Sequence, residues 1–110
     1  MKLRHIGIVV NDLKEGVKWY ERFNYYPFIW ESVLINGGSV EICKMYHKDG
    51  SCIELIDGST GVNHMSITCN QLEFEYLKEN NDANMFEKEG VAYIRDPWGN
   101  VIEIVMDRGF

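Results

Sequence analysis

The chain has 110 residues, 45% of them apolar and 25% charged, which is the composition of one soluble globular domain with a modest core. Its formal net charge is −6 and its lysines and arginines form no cluster, so a nucleic-acid partner is not expected. The apolar run near the start, Ile6 to Val10, is too short for a signal-peptide core or a membrane span. Together with three cysteines (Cys43, Cys52, Cys69) that lack any C-x-x-C spacing, this reads as a cytoplasmic protein with buried, reduced thiols.

In chain order, Leu3 to Val10 reads as a strand. Asn11 and Asp12 offer caps, and Asp12 with Glu15 has capping-box spacing. Leu13, Val17 and Tyr20, with Trp19 and Phe23 nearby, give an amphipathic helix over Asp12 to Phe23, which Gly16 weakens without ending. Phe28 to Ile35 reads as a strand, Asn36-Gly37-Gly38 as a turn, and Ser39 to His47 as a strand. Lys48-Asp49-Gly50-Ser51 then makes a hairpin turn into a strand over Cys52 to Ile56. Asp57 to Gly61 is a linker. After it the order begins again. Asn63 to Cys69 is a strand, and Asn70 caps a helix to about Glu79 whose apolar face is Leu72, Tyr76 and Leu77. Three strands follow, a poorly defined one over Asn84 to Glu89, then Val91 to Arg95 and Val101 to Met106, the last fed by the turn Asp96-Pro97-Trp98-Gly99-Asn100. Each half therefore reads β-α-β-β-β.

Self-similarity supports this division. His5-Ile-Gly-Ile-Val-Val-Asn-Asp-Leu13 superposes on His64-Met-Ser-Ile-Thr-Cys-Asn-Gln-Leu72 with the shared frame H-x-x-I-x-x-N-x-L. Gly50-Ser-Cys-Ile-Glu-Leu-Ile56 superposes on Gly99-Asn-Val-Ile-Glu-Ile-Val105 with the frame G-x-x-I-E followed by two aliphatics. The matches come in the same order and in matching elements. They define a module over 1–58 and a second over 59–110, the second one shorter between its helix and its last strand.

The repeat carries chemistry. Each module has one His at the start of its first strand and one Glu inside its last: His5 and Glu54, then His64 and Glu103. A carboxylate within an apolar strand such as Val101 to Met106 is costly to desolvate unless an arginine, a raised pKa or a cation compensates it. Imidazole and carboxylate together are ligands for Zn, Ni, Co, Mn or Fe(II). Taken singly, His5 reads as a satisfied edge histidine and His64 as a buried hydrogen-bonding one, and Glu54 and Glu103 read as partners of Arg4, Arg95 or Arg108 or as solvent-facing strand residues. Their recurrence within the repeat favours a metal site instead. His47, beside Lys48 and Asp49, reads as an exposed turn histidine. The aromatic residues Trp19, Tyr20, Tyr25, Tyr26, Phe28 and Trp30 read as core or dimer contacts.

The opening His5-Ile-Gly-Ile-Val-Val-Asn-Asp-Leu, the second-module His64-Met-Ser-Ile and the ending Arg95-Asp-Pro-Trp-Gly-Asn-Val-Ile-Glu-Ile-Val resemble the glyoxalase / bleomycin-resistance / dioxygenase family, the vicinal oxygen chelate superfamily. The resemblance spans essentially the whole chain. It implies an α+β fold of two paired βαβββ modules, a curved, mostly antiparallel, eight-stranded cup around one divalent metal ion, with a small-molecule substrate and a homodimer. By the same resemblance the metal ligands are His5, Glu54, His64 and Glu103. The substrate chelates the metal through adjacent oxygens, Glu103 acts as the proton-abstracting base, and Glu54 is the second carboxylate ligand or a reprotonating partner. A full glyoxalase I-like ligand set favours lyase or isomerase chemistry over its alternatives, a methylmalonyl-CoA epimerase-like isomerase and a non-catalytic antibiotic-binding protein. No basic residues are identified that would hold a glutathione carboxylate or a coenzyme A phosphate.

Overall fold

The computed structural model describes residues 1–35, 38–58, 62–81, 87–88 and 90–107. The chain divides into two compact units, one of His5–Asn63 and one of Met1–Arg4 with His64–Phe110.

The unit of His5–Asn63 contains most of β1 (Lys2–Val10), then α1 (Leu13–Glu21), β2 (Tyr25–Ile35), β3 (Gly38–His47) and β4 (Cys52–Asp57). Its strands lie in the order β2-β3-β4-β1. The two hairpin-linked pairs are antiparallel, and β1 runs parallel to β4. Asp12 caps α1, its carboxylate accepting the Glu15 N–H at 3.1 Å. The reciprocal half of the expected capping box does not form, because the Glu15 carboxylate reaches forward to Lys18 (3.7 Å). The helix ends at Glu21, two residues before the expected Phe23. There Asn24 turns the chain at φ 66, a left-handed conformation that Asn tolerates. Leu13 and Val17 of the helix pack on Cys43, Met45, Ile53 and Leu55 of the sheet. Gly16 has a packing reason. A Cβ there would lie 3.1 Å from the Val10 side chain, so its absence lets α1 approach β1 closely. β2 begins at Tyr25, earlier than expected, because Pro27 lies on the outermost strand of the ladder, where its missing N–H is tolerated and a bulge absorbs it.

The second unit contains β5 (His64–Cys69), α2 (Gln71–Asn80), β6 (Glu87–Lys88), β7 (Val91–Arg95) and β8 (Val101–Met106), with strand order β5-β8-β7-β6. β5 and β8 are parallel, and the other pairs are antiparallel. The described strands thus comprise seven of five residues or more and the two-residue β6, where the sequence suggests eight full ones. Most of the expected strand over Asn84 to Glu89, like Asn36 and Gly37 and most of the Asp57 to Gly61 linker, lies outside the described residues. Asn70 and Glu73 form a full capping box, with bonds of 2.8 and 2.9 Å. The buried face of α2 differs from the expected one. Phe74 is buried and Leu77 half-buried against Ala92, Ile94 and Ile104, whereas Leu72 (84% exposed) and Tyr76 (62% exposed) face away. Phe74 is the largest apolar side chain of the helix core, and it rotates the helix so that it docks on β7 and β8. Lys78 then lies over the Phe74 ring at 5.3 Å.

The turn before β8 is tightly built. Asp96 accepts the N–H groups of Trp98 and Asn100 at 2.9 and 2.8 Å and the Asn100 amide at 2.8 Å. Those bonds, the Asn100 side chain first among them, hold the Asp96 carboxyl below the usual carboxylate range. Gly99 takes φ 89, and its carbonyl accepts the Arg95 guanidinium at 2.8 Å. Both units thus show the β-α-β-β-β order expected of an α+β fold of paired modules. No helix among the described residues is long and apolar enough to cross a membrane.

Candidate metal-binding residues

Parallel pairing within each unit places its His and its Glu on neighbouring strands. In the first unit Gly7 of β1 stands opposite Glu54 of β4. Side chains alternate along a strand, so His5, two residues before Gly7, projects from the same face as Glu54. That is the face opposite α1, since Ile53 and Leu55 pack on the helix. His5 Nε2 lies 3.8 Å from Glu54 Oε2, and the two side chains are only 4% and 13% exposed. Two ligands each about 2.0–2.2 Å from a shared cation lie no more than about 4 Å apart. The pair therefore fits a divalent metal in both donor chemistry and spacing.

In the second unit Ser66 of β5 and Tyr93 of β7 stand opposite Glu103 of β8 from its two sides. His64 shares the face of Ser66 by the same alternation. The fully buried Ser66 hydroxyl donates to Glu103 Oε1 at 2.7 Å, and the Tyr93 hydroxyl donates to Oε2 at 2.9 Å. The His64 ring meets the Tyr93 ring edge-on at 6.3 Å. Ser66 and Tyr93 are contacts that sequence reasoning missed. No sequence pattern marked them: they match Gly7 and Lys44 of the first module, which flank Glu54 only through the strand register.

The remaining candidates resolve differently. Arg95 is engaged with the Gly99 carbonyl, and Arg108 lies outside the described residues. His47 is more buried than expected for a turn histidine, its side chain 20% exposed. Its Nδ1 accepts the Asp49 N–H at 3.0 Å, and its ring packs 5.3 Å from Tyr25. Cys43 and Cys69 are buried and Cys52 half-buried, all three as free thiols. Burial pushes the Cys43 thiol up to about 11, and burial, then the Glu73 charge, raises that of Cys69. Neither is poised to act as a thiolate near neutral pH.

Neither protein-family models nor curated proteins yield a match to this sequence. Solved structures do. Methylmalonyl-CoA epimerase from Mycobacterium tuberculosis superposes over 96% of this chain and 87% of its own, with TM-score 0.68 and 15% identity. A triple mutant of 4-hydroxymandelate synthase from Streptomyces coelicolor superposes over 99% of this chain with TM-score 0.63 and 15% identity, and this chain spans 49% of its length. At such identities the likeness speaks for architecture. The chain shares the fold of these proteins, with a β-α-β-β-β order in each of its two units.

Proposed function

We propose that the protein is a divalent-metal-dependent lyase or isomerase of the glyoxalase-like type, which moves a proton next to a chelated carbonyl of a small substrate. The observation that carries this reading is the buried His5–Glu54 pair at ligand spacing, with the same residue types recurring at matching positions in the second unit. His5, Glu54, His64 and Glu103 would hold one Zn, Ni, Co or Mn ion. When bound, the ion supplies Lewis acidity that makes the C–H beside a carbonyl more acidic.

The protein residues divide the rest of the work. Low exposure of the first pair keeps water from competing for the substrate oxygens. Glu103 takes the proton at one carboxylate oxygen and returns it to the adjacent position. Ser66 and Tyr93 fix the orientation from which it does so. Glu54 remains the second carboxylate ligand.

Protein purified without chelators should carry about one equivalent of metal per chain, read by elemental analysis. After chelation, Ni, Zn, Co or Mn should raise the melting temperature. Glu103→Gln should stay folded, bind metal more weakly and lose at least about a hundredfold in turnover of methylglyoxal hemithioacetals or another 2-oxo substrate found by screening. Full activity in that variant removes Glu103 from the mechanism. Absence of both metal and thermal shift leaves a small-molecule binding protein of the same fold.

A further inference from the structure

The face of the first unit that carries His5 and Glu54 continues across β3 and β2, and its composition there is unusual for an open surface. Lys44 stands opposite Glu54, and Tyr46, two residues on, projects from the same face. Tyr26 pairs with Tyr46 across the hairpin, and the Phe28 ring meets the Tyr46 ring edge-on at 5.2 Å. These three rings are exposed, Phe28 at 71%, Tyr26 at 58% and Tyr46 at 41%. Lys44 is half-buried and forms no ion pair with a described residue. It is the only lysine or arginine on β1–β4 that projects from this face among the described residues, since Lys2 and Arg4 alternate to the other side with Ile6. Directly opposed residues on neighbouring strands have Cβ atoms about 5 Å apart, so Lys44 adjoins Glu54, Tyr46 lies one diagonal step away, and Tyr26 and Phe28 extend the face one strand further out.

We infer that Lys44 with Tyr46, Tyr26 and Phe28 forms a recognition subsite for an aryl-substituted carboxylic acid that carries a transferable C–H beside a carbonyl or carboxyl group, and whose oxygen-bearing head reaches the His5–Glu54 pair. This names the substrate class of the proposed activity and rests on that reading. Each part of such a ligand meets its complement. The ring packs against exposed aromatic faces and edges, which would otherwise stay wetted. The carboxylate meets the Lys44 ammonium, the one basic group that this face offers among the described residues, and a charge-assisted hydrogen bond between them is stronger than a neutral one. Adjacent oxygens on the acid then lie toward the residues that bind metal. A second copy of the chain suits the face less well. It would bring another net charge of −6 and would have to desolvate Lys44 and the His–Glu pair.

The test uses the whole chain and isothermal titration with three probes, with and without Ni. Phenylglyoxylate has the ring and the charge, glyoxylate lacks the ring, and methyl phenylglyoxylate lacks the charge. Phenylglyoxylate should bind at least about tenfold tighter than either of the others. Lys44→Met should remove the advantage over the ester, and Tyr46→Leu the advantage over glyoxylate, with both variants melting like the parent. Equal affinity for the three probes overturns the subsite, as does an unchanged profile in both variants. Self-association of the parent that Tyr46→Leu and Phe28→Leu abolish also overturns it, by assigning the rings to a second copy. The ring and charge preferences are read in the metal-free protein as well. Failure to bind Ni therefore counts against the metal reading alone, and Ni binding without probe preference against the subsite alone.

Discussion

Glu54 and Glu103 occupy matching places in the repeat yet meet different neighbours. Gly7 and Lys44 flank the first, and Ser66 and Tyr93 clamp the second by both oxygens. Residues that orient a metal ligand commonly contribute ten- to a hundredfold in metal affinity. Tyr93→Phe and Ser66→Ala should therefore each weaken Ni or Zn binding by about tenfold in a chelator-competition titration, with little change in the melting temperature of the metal-free protein. The repeat alone singles out the four His and Glu positions, as residue types that share a chemistry. It does not mark the clamp. A serine and a tyrosine inside strands carry no pattern of their own and acquire meaning only once the register of β5, β8 and β7 is known. The thiols offer a separate check. Half-buried Cys52 should react first with a neutral-pH thiol reagent, while Cys43, shielded and with its pKa pushed up to about 11, should wait for unfolding.

At the scale of elements, local chemistry decides how each one starts and stops. The Asn70 cap of α2 satisfies the Glu73 N–H, and Asn70→Ala should lower stability by about 1 kcal/mol in urea unfolding. The Asp96 turn makes a pH-dependent contribution. Its folded pKa lies below the ordinary 3.8, so the contribution is complete above that value and fades as pH falls through the lower folded value. Asp96→Ala should accordingly melt below the parent at pH 7, and the gap should close in strong acid. Caps and turns such as these were readable because Asn, Asp and Gly act on their immediate neighbours. The orientation of α2 was not, because Leu72 and Phe74 are equally apolar in sequence, and only docking on Ile94 and Ile104 selects Phe74. The early start of β2 was hidden for a related reason. Pro27 argues against a strand unless that strand is known to lie at the edge of its ladder.

For the molecule as a whole, the duplicated β-α-β-β-β order made the fold readable, since two weak patterns in the same sequence order constrain each other. Which ligand the fold serves was less so, because substrate recognition depends on residues brought side by side by hairpins, as Tyr26 and Tyr46 are. The parallel pairing of each module's first strand with its last also bears on how the protein acquires its site. Ile6 must find Ile53, and His64 must find Val101, across an intervening helix and hairpin. Contacts of such long sequence separation form only after a costly loop closure. A His and a Glu are therefore neighbours only in a module that has finished folding, and the cation has nothing to template in the partly folded chain. Metal should leave the refolding rate nearly unchanged and slow unfolding instead, so that the bound ion acts as a latch on the completed module rather than as a seed for its assembly.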